Sequence, residues 1–220
     1  MKSKEHQFKP SYLVVEGPIG VGKTSLAKRL AETFNTDLVL EAADNNPFLE
    51  HFYNNPKQAA LSTQLFFLLQ RAQQLNDLRQ SDMFQPVQVA DFLIEKDHLF
   101  ARLTLDKDEF KLYEQVYSHL TLDTIKPDLV IYLQAPVEVL LERIRKRGIS
   151  YEQKIEAAYL QRLVDAYTRF FYDYSDSPLL IVNAAEINFV DKEADYQQLL
   201  EQIGRIRSGR HYFNPAPLNI

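Results

Sequence analysis

Gly17-Pro18-Ile19-Gly20-Val21-Gly22 places three of the chain's six glycines in six consecutive positions, and Lys23, Thr24 and Ser25 follow directly. Glycine suits backbone at positive φ or a place where another group must approach closely. The spacing Gly-x-x-x-x-Gly-Lys-Thr is the complete phosphate-loop pattern, including its terminal hydroxyl. Such a loop turns successive N–H groups toward one concave point, which suits a di- or triphosphate. In that geometry Lys23 reaches the β- and γ-phosphates and Thr24 holds Mg²⁺. An ordinary glycine-rich turn would account for two of the glycines but not for the Lys-Thr pair as well.

Two acids and a basic cluster extend this chemistry. Glu41 and Asp91 each stand directly after a short apolar run. Phosphoryl transfer needs carboxylates for distinct jobs, one to accept a proton from the attacking hydroxyl and one to help hold Mg²⁺. Either acid alone would also serve as a helix N-cap. In "RIRKRG", residues 143–148, Arg143 and Arg147 are four apart and share a helix face. Basic side chains at a helix end complement its dipole, but four cations in five residues exceed that need. Guanidinium groups closing over a triphosphate would neutralise charge on the transferring phosphoryl. The Asp-x-x-Gly and Asn-Lys-x-Asp segments of a GTPase and the Ser-Gly-Gly of an ABC-type ATPase do not occur. A kinase acting on a small molecule fits the remainder.

These residues need a scaffold that brings strand ends together. Tyr12–Val15 is a β-rich apolar run, and 23–34 has helical spacing with Leu26, Ala27 and Leu30 on one face, giving strand, loop, helix. Further strands are expected at 37–40, 87–90, 129–133 and 179–182. Helices are expected near 47–53, 57–80, 93–101, 106–122, 136–147, 151–173 and 191–207. Alternation of this kind predicts an α/β fold, a five-stranded parallel sheet with helices on both faces. Ligands then bind outside the carboxyl ends of the strands, where Glu16, Glu41 and Asp91 fall.

The 220 residues suit a single domain, with 1–10 and 208–220 as terminal extensions, and 45% apolar content suffices for its core. A net charge of −5 argues against a nucleic-acid partner, and the absence of cysteine excludes disulfides and thiolate metal sites. The longest apolar run, 65–69, is far short of a membrane span, and no signal-peptide pattern follows the N-terminus, so a soluble cytoplasmic protein is expected.

With the loop, both acids and the basic lid in view, residues 11–205 resemble the deoxynucleoside kinases. "LEAADNNPFLEHFY" (40–53) resembles the family segment with the catalytic Glu and a substrate-binding Tyr, here Glu41 and Tyr53. "STQLFFLLQR" (62–71) resembles the helix whose Gln and Arg face the base, here Gln64 and Arg71. "RIRKRGISYE" (143–152) resembles the lid and the Glu that meets the sugar 3′-hydroxyl, here Glu152. The resemblance implies the P-loop kinase fold and transfer from ATP to a deoxynucleoside 5′-hydroxyl. Glu41 is then the base, Asp91 a Mg²⁺ ligand, Asp97 the base-reading acid, and the molecule a homodimer. The "DNNPFLEHFY" segment leans toward the bacterial purine-preferring branch.

Two departures stand out. The family's Arg after the acid of strand 3 is Phe92 here, with Lys96 or Arg145 as substitutes for its charge; the further Arg of the lid is Ile149. Taken alone, Gln64 would suit a solvated helix position and Arg71 a surface ion pair. A monophosphate kinase of the thymidylate type is the alternative enzyme, disfavoured because 41–53 offers only His51 as a cation for a phosphorylated acceptor. A non-catalytic nucleotide-binding regulator is the alternative of another class.

Overall fold

The most apolar stretches of the chain become the middle of a parallel sheet. A computed structural model describes residues 11–80, 88–120 and 125–214. Strands β1 (Tyr12–Glu16) and β4 (Leu129–Gln134) are buried along almost their whole length, as β-branched and aromatic runs covered on both faces must be. Around them lie β2 (Leu38–Val39), β3 (Gln88–Ala90), β5 (Leu179–Asn183) and β6 (Arg210–Phe213). The order is β2-β3-β1-β4-β5-β6, and every pairing is parallel. Helices flank the sheet: α1 (Lys23–Phe34), α2 (Leu49–Asn54), α3 (Pro56–Gln80), α4 (Lys96–Thr104), α5 (Lys107–Leu120), α6 (Val137–Arg147), α7 (Ala157–Asp173) and α8 (Glu193–Arg205).

The α/β parallel architecture is as expected, but the described residues form six strands rather than five. The added strand, β6, lies inside the segment expected to be an extension. It is an edge strand with three of its four side chains exposed, so it carries no buried apolar alternation. Backbone pairing with β5 and the Arg210 guanidinium hold it; that side chain donates to the carbonyls of Phe171 (3.0 Å), Tyr172 (2.6 Å) and Tyr174 (3.2 Å) at the end of α7. The helix expected over 151–173 is broken. A 3₁₀ turn at Tyr151–Lys154 is followed by extended backbone at Ile155 and Glu156 before α7 begins. That break lets Ile155 reach the core while Glu152 faces the site. Val87, residues 121–122 and residues 1–10, all covered by expectations above, lie outside the described residues.

Helix α3 carries the longest buried stripe. Gln64, Phe67, Leu68, Arg71, Leu75 and Leu78 are all buried at spacings of three and four. Polar and apolar side chains therefore share one face, the lower part packed in the core and the upper part against a cavity.

Candidate active site

The phosphate loop begins where β1 ends. Gly17 and Gly20 have positive φ (152° and 83°), and a Cβ on Gly17 would lie 2.5 Å from the Leu133 carbonyl oxygen. At Gly20 a Cβ would lie 2.9 Å from the Leu140 carbonyl oxygen and 2.8 Å from Ile144. The loop thus packs directly on β4 and α6, which only glycine allows. Gly17 N–H is committed to Glu16 Oε1 (2.8 Å). Lys23 Nζ folds back onto the carbonyls of Gly17 (2.8 Å) and Pro18 (3.4 Å), and enclosure of its ammonium lowers its pKa to about 8.

Asp91, at the end of β3, joins the two sides of the site. Its Oδ2 accepts from Thr24 Oγ1 (2.5 Å) and its Oδ1 from the backbone N–H of Glu41 (2.6 Å). Burial raises the Asp91 pKa, against the Thr24 hydrogen bond and Lys23, which lower it. A hydroxyl and a carboxylate oxygen brought together are the hard donors Mg²⁺ takes, completed by water and phosphate oxygens, so this pair fits that ion. Among the described residues no group of three or more His, Cys, Asp or Glu could hold a metal.

Glu41 is bound at both carboxylate oxygens. Arg71 of α3 pairs with Oε1, and Lys96 of α4 donates to Oε2 (3.0 Å). Arg71 also pairs with Asp97 and sits over the Phe67 ring at 4.9 Å. Both cations are almost fully buried, and burial lowers Arg71 to about 10 and Lys96 to about 8. Gln64 and Arg71 are therefore neither solvated nor in a surface pair; they are 4% and 3% exposed.

A cavity of about 140 Å³ opens above Glu41, with Tyr53, Gln64, Phe67, Arg71 and Glu152 on its wall. Thr63 Oγ1 and Arg71 Nε, also on this wall, are buried without a hydrogen-bond partner. Arg147 Nη2 donates to Glu152 Oε2 (2.5 Å) across the turn after α6. The Tyr53 ring stacks on Tyr151 (5.8 Å, 12°), whose hydroxyl donates to Asp44 Oδ1 (2.5 Å). A wider cleft of about 700 Å³ runs from Gly20–Ser25 past Arg143, Lys146 and Arg147 to the segment 185–192. Gly20, Lys23, Thr24 and Arg147 line both spaces, so the phosphate loop is their shared wall.

Most of the residues singled out in the sequence converge here. Ile19 lines the small cavity, and Val21, Gly22 and Ser25 the cleft, whereas Pro18 lines a separate space beside β4 and β5. Arg143 donates to the Val21 (3.0 Å) and Ala184 (2.7 Å) carbonyls, clamping the loop to the end of β5. Among the phenylalanines near the site, Phe67 and Phe100 reach the cavity; Phe92 is buried in the core and Phe66 packs on Phe48. Arg145 is exposed and lines neither space. Sequence reading missed Tyr151, although it adjoins Glu152, and the segment 185–192, which has no motif to mark it.

The wall shared by a phosphate loop and a polar cavity defines the class of protein, a P-loop phosphotransferase. More narrowly, the family model for deoxynucleoside kinase matches residues 13–207, and the chain belongs to that family. It is 36% identical over 200 residues to deoxyguanosine kinase of Bacillus subtilis (strain 168), covering 87% of this chain and 95% of that protein. Deoxyadenosine kinase of Lactobacillus acidophilus is 32% identical over 205 residues, covering 87% and 94%. In fold the chain is similar to deoxyadenosine kinase from M. mycoides with bound dATP, at a TM-score of 0.76 and 22% identity over 88% of this chain and 98% of that one. No helix among the described residues is long and apolar enough to cross a membrane.

Proposed function

We propose that the protein transfers the γ-phosphoryl group of ATP to the 5′-hydroxyl of a purine deoxynucleoside. The observation that carries this reading is the Glu41 carboxylate, held by Arg71 and Lys96 where the cavity meets the phosphate loop. In the reaction Glu41 accepts the proton of the 5′-hydroxyl, the oxygen bonds to the γ-phosphorus, and the bond to the β-bridging oxygen breaks to release ADP. Lys23 leaves its loop carbonyls for the phosphates, and Arg147, shared by both spaces, stands over the transferring group. Arg143 keeps the loop in shape beside it. Thr24 and Asp91 would hold Mg²⁺, which when bound offsets the phosphate charge.

On the acceptor side Tyr53 and Glu152 offer a hydroxyl and a carboxylate to the sugar. Gln64 with the Arg71–Asp97 pair offers donors and acceptors to the base edge. The relatives named for deoxyguanosine and deoxyadenosine support a purine. Of the cations lining the cavity, Arg71 and Lys96 are committed to carboxylates and Lys23 and Arg147 are assigned to the donor's phosphates, which leaves none for an acceptor that already bears a phosphate. We also place the protein in the cytoplasm as a homodimer, the assembly the family resemblance implies; sedimentation at the mass of one chain would contradict it.

Initial rates with ATP–Mg²⁺ and a panel of deoxynucleosides and deoxynucleoside monophosphates test the reading. Deoxyguanosine or deoxyadenosine should give the highest kcat/KM. Turnover confined to the monophosphates would place the chain with the thymidylate-type kinases instead.

A further inference from the structure

A carboxylate with no part in the chemistry above lies fully buried beneath the site. Glu16 ends β1 and is 0% exposed. Its Oε1 accepts from Gly17 N–H (2.8 Å) and the Tyr167 hydroxyl (2.9 Å), and its Oε2 from Leu93 N–H (2.8 Å). Three neutral donors from the start of the phosphate loop, α7 and the segment before α4 thus fix this side chain. Lys96 Nζ stands 3.4 Å from the same Oε2 and 3.0 Å from Glu41 Oε2. Hydrogen bonding to Glu16 is already well supplied, so what the ammonium adds is charge, placed between the two carboxylates.

Burying an ammonium is costly unless opposite charge surrounds it. Lys96 is 2% exposed, and the charged groups around it are Glu16 on β1, Lys23 at the start of α1, Glu41 after β2, Arg71 on α3 and Asp91 just after β3. Phe92, where the family resemblance leads one to expect a guanidinium, is 0% exposed within the core and brings no charge. Arg145, the other substitute, faces solvent.

We propose that Lys96, seated on Glu16, is the positioning residue that aims the Glu41 carboxylate at the acceptor hydroxyl and supplies there the positive charge that Phe92 lacks. Arg71 fixes the other oxygen from α3, so cations from two helices set the carboxylate's rotation. Burial lowers the lysine to about 8, while Glu16 and Asp91 oppose that shift and favour the charged form. This inference rests on the reading of Glu41 as the base.

The test compares Lys96→Met and Lys96→Arg with the wild type in kcat, KM for each substrate and ATP binding. Lys96→Met should lose roughly 10²-fold in kcat with ATP affinity kept, because a misaligned base slows only the chemical step. KM for the deoxynucleoside should stay near its wild-type value, a split that a general loss of structure would not give. Lys96→Arg, which keeps the charge, should recover most of the lost kcat. If Lys96→Met does not fold, Lys96→Gln, which keeps a donor to Glu16 without the charge, is measured in its stead. A folded, uncharged variant that keeps wild-type kcat, or whose loss falls equally on KM and is not recovered in Lys96→Arg, overturns the proposal. With an active wild type, that outcome leaves the deoxynucleoside kinase reading standing. A wild type that phosphorylates no deoxynucleoside removes both.

Discussion

Glu41 owes its direction to side chains that are distant in sequence: Arg71 thirty positions on and Lys96 fifty-five. At an effective dielectric of about 20, an ion pair near 4 Å is worth about 4 kcal/mol, comparable with the several kcal/mol needed to dehydrate each partner. None of these groups is a free source of stability, and their retention in the interior points to work at the site. Glu41→Gln keeps shape and hydrogen bonding but cannot take a proton. Its kcat should fall by ~10²–10⁴ with ATP binding unchanged, as rapid-quench and equilibrium-binding measurements would show. Near-normal turnover would remove Glu41 from the role of base. Glu41 and Asp91 were legible in the sequence because each directly follows an apolar strand run. The burial of Gln64 and Arg71 was not, since their types and spacing fit a solvated helix face equally well. The Lys96–Glu16 pair was illegible for another reason: eighty residues separate partners that no motif connects, and only the sheet order makes them neighbours.

At the level of elements, the loop, α6 and the turn after it act together. Gly20 lies against Leu140 and Ile144 of α6, so the position of the loop and that of the basic last turn of α6 are coupled through one van der Waals contact. Gly20→Ala adds a Cβ at a positive φ and against a backbone carbonyl. The strain, on the order of 1–3 kcal/mol, should push the loop and α6 apart. ATP affinity should drop by about tenfold or more, the weight of roughly 1.4 kcal/mol, in isothermal titration, with a lower Tm. Wild-type affinity in this variant would show that the loop tolerates the displacement. The phosphate loop and helices α1, α3 and α6 were readable from periodicity and motif. Strand β6 was not, because an exposed edge strand held by backbone pairing and one arginine leaves no apolar alternation to read. Nor was the break at Ile155–Glu156, where the 3.6-residue pattern continues across a stretch that the backbone leaves extended.

Over the whole molecule, the net charge of −5 conceals a concentration of cations at one end of the sheet. Lys23, Arg143, Lys146, Arg147 and Lys192 line the cleft against Glu186 and Asp191, while Arg71 and Lys96 at the cavity next to it are balanced by Glu41, Glu16 and Asp97. A field of this kind draws in a polyphosphate although the chain as a whole is acidic. The parallel sheet makes it possible by bringing the ends of β1, β2 and β3 to the same edge, with the phosphate loop between the cleft and the cavity. The central claim is therefore a direction of transfer, from a triphosphate in the cleft to a hydroxyl in the cavity. Following γ-labelled ATP with deoxyguanosine and the wild-type protein tests it most directly, with the product resolved by chromatography and its phosphate located by NMR. The label should appear as a 5′-monophosphate of the nucleoside in equal amount to the ADP formed. Label released only as inorganic phosphate, or found on a diphosphate when monophosphate is supplied and nowhere when nucleoside is, would contradict the account.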